Sequence, residues 1–232
     1  MKKQIMVGAI LMAALGWSVD AVMAAETAAT NKLALAPLNL ALPIAAPKGT
    51  VPDIEITAHI EKPSDNPRPP FLAPQGVVNV AAKKKVTSSD KSPVSGSLAL
   101  VTDGNKEATE DSYVELHKRV QWIQIDLEAE YAIYVIVVWH DHNYPQIYHD
   151  VVVQVADDAD FLQGVQTVFN NDFDNSAGLG MGTDREYFED YQGRLIDAKG
   201  VKGRYVRLYS RGSTFSALNR ITEVEVYGLP AK

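Results

Sequence analysis

From Gly76 onward the chain is written in a two-residue rhythm. In QWIQIDL (121–127), Ile123, Ile125 and Leu127 share one face, while Gln124 and Asp126 take the other. In ITEVEVY (221–227), Val224 and Val226 point opposite Glu223 and Glu225. Successive strand side chains point to opposite faces, so this alternation marks strands with one buried and one wet side. YAIYVIVVW (131–139) is apolar almost throughout and suits a central strand covered on both faces. GVVNVAA, SLALVTD, DVVVQVA, QTVF, GRLID and RYVRLYS continue the series, separated by Gly, Asn, Asp and Ser. No stretch carries the period of a long amphipathic helix, and DADFLQGV (158–165) offers one turn. Eight or nine short strands over roughly 150 residues predict an all-β fold, an antiparallel β-sandwich of jelly-roll type. One domain of that size buries an adequate core.

What precedes this region is different in kind. Residues 1–24 have Lys2 and Lys3, an apolar run from Ile5 to Trp17, then small residues up to Ala24. That order predicts a secretory signal peptide cleaved after Ala24. No other segment is apolar for the ~20 residues a membrane span needs. Residues 25–75 are rich in Ala, Leu and Pro and read as a largely irregular tether ahead of a domain at 76–232. Within the tether DIEITAHIE alternates enough for one short strand, with His59 facing solvent. The chain has no cysteine, which excludes disulfides, Cys nucleophiles and Cys-ligated zinc. For an exported chain this points to a secreted, periplasmic or cell-envelope protein of a bacterium. The net charge is −7, and removing the leader's Lys2, Lys3 and Asp20 (net +1) leaves −8. Such acidity argues against nucleic acid and leaves neutral ligands and cations as partners.

Three motifs recur in a telling order: the loop LVTDGN (100–105), the strand QWIQIDL, and the closing pair RYVRLYS and ITEVEVYG. In this the chain resembles the discoidin, or coagulation factor 5/8 type C, family of galactose-binding-like β-sandwiches, over roughly Val77 to Gly228. The resemblance implies a structural calcium ion between the D-G-N loop and the start of the last strand. Carried over by position, Asp103, Asn105 and Glu223 would give side-chain oxygens, and Leu100, Thr222 and Ala108 backbone carbonyls. Calcium takes six to eight hard oxygens in flexible geometry, so the donor set is chemically apt. Gly104 supplies the backbone freedom to turn around an ion. Relatives often carry Thr or Ser where Ala108 stands, and the alternative is an ion-free Asx turn at Asp103. A second acidic loop has Asp172, Asp174, Ser176 and Gly178 at EF-hand spacing. It lacks the closing Glu, since the twelfth position is Thr183, and reads as a surface loop.

Nothing in the sequence assembles a catalytic constellation. There is no G-x-S-x-G, P-loop or dinucleotide fingerprint, and GLGMG has no helix behind it. The expectation is a non-catalytic binding module. The resemblance implies ligand recognition by loops at one end of the sandwich, most readily of carbohydrate from cell walls or extracellular glycans. Candidate contacts are His140, His142, Asn143, Tyr144 and Tyr148 after YAIYVIVVW, and Arg211, Phe215 and Asn219 before the last strand. Aromatic platforms with a few polar groups suit sugars, which show apolar C–H faces and hydroxyl edges. Trp122 and Trp139 sit in strand patterns and read as core. The alternative is an adhesive or structural domain with a protein partner. The H-x-H pair His140 and His142 could also hold a transition metal, with His149 or Asp150 as third ligand.

Overall fold

The computed structural model describes residues 33–45, 53–64 and 66–231; the expected leader, residues 1–24, lies outside the described residues. In chain order the strands are β1 (Leu35–Pro37), β2 (Leu72–Pro74), β3 (Val78–Asn79), β4 (Lys85–Ser88), β5 (Val114–Leu116), β6 (Gln121–His140), β7 (Val152–Ala156), β8 (Gln166–Asn170), β9 (Arg194–Ser210) and β10 (Asn219–Pro230). β1 and β2 form a small antiparallel pair. The main sheet runs β3-β10-β6-β9-β7-β8, with β4 added to β6 and β5 to β10. All of these pairings are antiparallel.

The fold is the antiparallel all-β sandwich that the alternation predicts, but its longest strands are fewer and longer than the runs suggested. QWIQIDL and YAIYVIVVW belong to one strand of 20 residues, β6, and GRLID and RYVRLYS to one of 17, β9. The β6–β9 register slips between Asp126 and Tyr131 and again between Ile133 and Val135. Glu128 takes a positive φ of 69° in the first slip, and its N–H donates to Asp126 Oδ1 at 2.8 Å. Such bulges bend a strand without ending it. Both halves of β6 therefore serve one core: Ile123, Ile125 and Leu127 join Ile133, Ile136 and Val138 in a single buried cluster.

The alternate residues of the second half, Val135, Val137 and Trp139, point to the other face of β6. Leu38, Leu40 and Phe71 pack against them there. The described residues from Leu35 onward thus belong to the same compact unit as the sandwich. Left uncovered, that face would expose side chains worth roughly 1.5–3 kcal/mol each in burial. Regular structure in 25–75 is limited, among the described residues, to β1 and β2; DIEITAHIE yields one isolated bridge, Ile60 to Glu186. His59 is exposed, and its ring stacks on Phe173 at 4.3 Å.

Two local expectations fail for identifiable reasons. SLALVTD is a 3-10 helix, Leu98–Thr102, whose Ser97 hydroxyl accepts the Ala99 N–H at 3.3 Å. Just before it, Gly96 has φ +71°, and a Cβ there would lie 2.3 Å from the Tyr113 carbonyl. That tight turn and cap favour a helical start over a strand. The supposed wet face of ITEVEVY is also buried. Lys106 pairs with Glu225 at 2.7 Å and the Tyr227 hydroxyl donates to the same carboxylate at 2.9 Å, so the charge is answered inside the protein. DADFLQGV does give one turn, closed by Phe161 N–H donating to Asp158 O at 3.1 Å, with the Asp160, Leu162 and Gln163 amides donating to the Asp158 carboxylate.

Candidate functional site

The loop after β6 and the loop before β10 are zipped together. Thr214 N–H donates to Ile147 O at 2.9 Å, His149 N–H to Gly212 O at 3.0 Å, and Arg211 N–H to His149 O at 2.9 Å. The Ser213 hydroxyl donates to Gln146 Oε1 at 2.6 Å. The two halves of the sequence-predicted ligand set are thus brought to one end of the domain. At its rim Tyr144 and Phe215 are 55% and 66% exposed, with rings 5.5 Å apart and inclined by only 13°. Half-buried Asn143 directly precedes Tyr144, and exposed Arg211 lies four residues before Phe215. Arg211 is ion-paired with Asp150, which raises its pKa by hydrogen bonding to the carboxylate.

The remaining candidates are interior, because each is needed to hold the loops. His140 is fully buried, its Nδ1–H donates to Glu189 Oε1 at 2.7 Å, and its ring stacks on Tyr148 at 4.1 Å. Tyr148 is 2% exposed, and burial drives its phenol well above the usual range. His142 is 5% exposed, with Nε2 2.8 Å from the Lys106 carbonyl. A carbonyl only accepts, so Nε2 carries the hydrogen. Asn219 is fully buried and makes four bonds. Its Oδ1 accepts from the Ser210 hydroxyl and the Gly212 N–H, and its Nδ2 donates to the His117 and Arg119 carbonyls.

Among the described residues no group of three His or carboxylate ligands gathers around His140 and His142. Glu189 and the Lys106 carbonyl engage them, His149 Nδ1 lies 2.8 Å from Glu186, and Asp150 pairs with Arg211. Among the described residues the His and carboxylate cluster with metal-like spacing is Asp150, Asp172 and Asp174, oxygens within 4.8 Å. There Asp172 accepts the Ser176 and Ala177 amides of its own loop, which suits a braced surface loop. Trp139 is core, with Nε1–H donating to Tyr191 O at 3.0 Å, and half-buried Trp122 lies under the Arg207 guanidinium at 4.2 Å.

The D-G-N loop does meet the start of β10. Gly104 N–H donates to Glu223 Oε2 at 3.2 Å. Glu223 Oε1 and Thr222 Oγ1 are buried without a partner. Burial pushes the Glu223 carboxyl up to about 8, and the neighbouring Glu225 and Asp103 charges add to the rise. Asp103 Oδ1 accepts the Asn105 N–H at 2.7 Å, so the Asx turn is formed as well. Asn105 Oδ1 accepts the Glu107 N–H at 3.1 Å; Leu100 lies in the 3-10 helix and Ala108 in the loop beyond.

Residues 100–208 match the family model described as a NedA-like, galactose-binding domain of F5/F8 type C. That match lies within the sandwich, from the D-G-N loop to β9. No curated protein matches the chain. Similar solved structures include a CBM32 module produced by Clostridium perfringens, in complex with GlcNAc-α-1,4-galactose. It is 18% identical over 67% of this chain and 97% of that one, with a TM-score of 0.49. A fucose-binding module of Streptococcus pneumoniae is 20% identical over 66% and 98%, TM-score 0.47. A family 89 glycoside hydrolase from Clostridium perfringens is 18% identical over 66% of this chain, TM-score 0.48; this chain spans 15% of that enzyme's length. No helix among the described residues is long and apolar enough to cross a membrane.

Sequence reasoning missed Lys106 and Glu189, the two groups that hold the histidines and the last strand in place. Neither sits in a motif; each is one charged residue in a polar loop, and its role depends on a partner 36 to 119 positions away.

Proposed function

We propose that the domain is a non-catalytic, exported glycan-binding module whose ligand rests on the Tyr144–Phe215 platform. The F5/F8 type C assignment, with its galactose-binding family description, supports a saccharide ligand. The observation that carries the site is the pair of parallel, exposed rings at one end of the sandwich. Large exposed aromatic surface is costly unless it meets a ligand, and a pyranose offers the matching C–H face. Asn143, directly before Tyr144, offers an amide for hydroxyl contacts.

The same reading includes a structural calcium ion at Asp103, Asn105 and Glu223. The residues fit it: an unpartnered buried carboxylate oxygen, an unpartnered hydroxyl beside it, and a loop kept open by Gly104 at φ +91°. The ion, when bound, would neutralise Glu223 and tie two distant segments together. The leader-like residues 1–24 and the absence of cysteine support export to the bacterial envelope or beyond.

A glycan array probed in calcium-containing buffer tests the function. Binding by the wild type that disappears in Tyr144→Ala and Phe215→Ala, with both variants folded, is the expected result. A blank array, with a protein returned by pull-down instead, would replace this reading by the adhesive, protein-partner one.

A further inference from the structure

We infer that the glycan is an oligosaccharide whose chain leaves the Tyr144–Phe215 platform and enters an adjoining cleft lined by residues 61–64, 66–69 and 187–195; this rests on the glycan reading above. The cleft holds ≈ 500 Å³, within the roughly 300–1,000 Å³ of small-ligand sites. Asn143 and Pro145 line it, while Tyr144 between them stacks on Phe215. Consecutive Cα atoms are ~3.8 Å apart, so platform and cleft are separated by the width of one residue.

The far wall is a strap pinned at both ends. Glu61 takes the Arg194 guanidinium at 2.8 and 2.9 Å. Arg68 donates to the Gly193 and Gln192 carbonyls at 2.8 and 2.9 Å, and its N–H to Gln192 Oε1 at 2.8 Å. Pro63, Pro67 and Pro69 restrict the backbone between and beside these anchors, so the wall is preformed.

The lining chemistry suits a neutral polyhydroxylated ligand. Most of its charged groups are already answered within the chain: Arg194 with Glu61, Glu189 with His140, Arg68 with carbonyls, and Asp190 with the Gln192 amides. Lys62 stands exposed on the strap. The side-chain amides of Asn66 and Asn143 make no hydrogen bond among the described residues, and each offers donors and an acceptor at once. Pro67, Pro145, Phe188 and Tyr191 give the apolar surface that sugar C–H faces require.

Isothermal titration with two length series tests this: galactose against β-1,4-galactotetraose, and N-acetylglucosamine against chitotetraose. The wild type should bind one tetrasaccharide at least ~10-fold tighter than its monosaccharide, a difference of ~1.4 kcal/mol. Asn66→Ala, and separately Arg68→Ala to release the strap, should abolish that preference while leaving the monosaccharide Kd within about twofold. Equal affinity for both lengths, or a preference that survives both substitutions, overturns the cleft alone. No binding of any probe overturns the cleft and the glycan reading together.

Discussion

Glu223 offers a sharp test of how the D-G-N loop and the last strand are held. Its carboxyl is fully buried, and its folded-state pKa is pushed from 4.5 up to about 8. Burial is the largest cause; Glu225 and Asp103 reinforce it, while the Gly104 N–H and Lys106 only partly offset it. A folded-state pKa above the unfolded value means the native protein binds the proton more tightly. The associated stability is therefore complete below pH ~4.5 and is lost as pH rises through ~8. A shift of 3.5 units at 1.36 kcal/mol per unit makes the loss ~5 kcal/mol above pH ~8, of which ~3 kcal/mol is already gone at pH 7. That is a large share of the ~5–15 kcal/mol that stabilises an ordinary domain. Glu223→Gln keeps an acceptor for the Gly104 N–H and removes the charge. In EDTA, chemical denaturation from pH ~5 to ~9 should show the wild type weakening while the variant stays nearly level, so the variant is the more stable above neutrality. Millimolar calcium should restore the wild type at high pH by ~2.7 kcal/mol at a hundred times Kd, and leave the variant unchanged. Parallel profiles for the two proteins in EDTA would refute the burial argument, and a wild-type midpoint indifferent to calcium would remove the ion.

Three further substitutions probe the frame around the site. Asn219→Ala strands two donors and two carbonyls in the interior, so urea denaturation should report a loss of ~3 kcal/mol or more. Gly193→Ala places a Cβ 2.5 Å from the Trp139 ring at φ +64°, and should lower Tm and shift the Trp139 fluorescence. Lys106→Ala removes the buried cation from Glu225 at 2.7 Å, which should cost ~3–5 kcal/mol by denaturant titration.

The alternation that identified the strands is a property of neighbouring residues, so it was readable without partners. Ile123, Ile125 and Leu127 are buried, and the all-apolar 131–139 run is central, between β10 and β9. What could not be read locally is what covers each second face. Glu223 and Glu225 have the pattern of a solvated edge, yet Lys106, some 119 positions away, makes burial of Glu225 tolerable. Likewise Leu38, Leu40 and Phe71 sit in a Pro-rich stretch whose composition suggests a tether, and only the second face of β6, with Val135, Val137 and Trp139, gives them a place to pack. The merging of two runs into β6 escaped notice because a bulge at Glu128 looks, in sequence, like a turn.

The histidine-rich rim shows why residue type alone misleads about a site. His140, His142 and Tyr148 are the residues a chemist would choose for a metal or a ligand. The loop on which they lie must reverse direction at the end of a central strand, and its buried polar groups must be satisfied there. His140 stacks on Tyr148 and donates to Glu189, and His142 donates to the Lys106 carbonyl, so one nitrogen of each imidazole is engaged as scaffold. The residues left outward are those the scaffold does not require, Asn143, Tyr144 and Phe215. A rigid, internally bonded loop that turns one ring to solvent and one amide to a cleft spends little entropy on binding. That division of labour argues for recognition by the exposed minority of the motif, with its histidines acting as the frame.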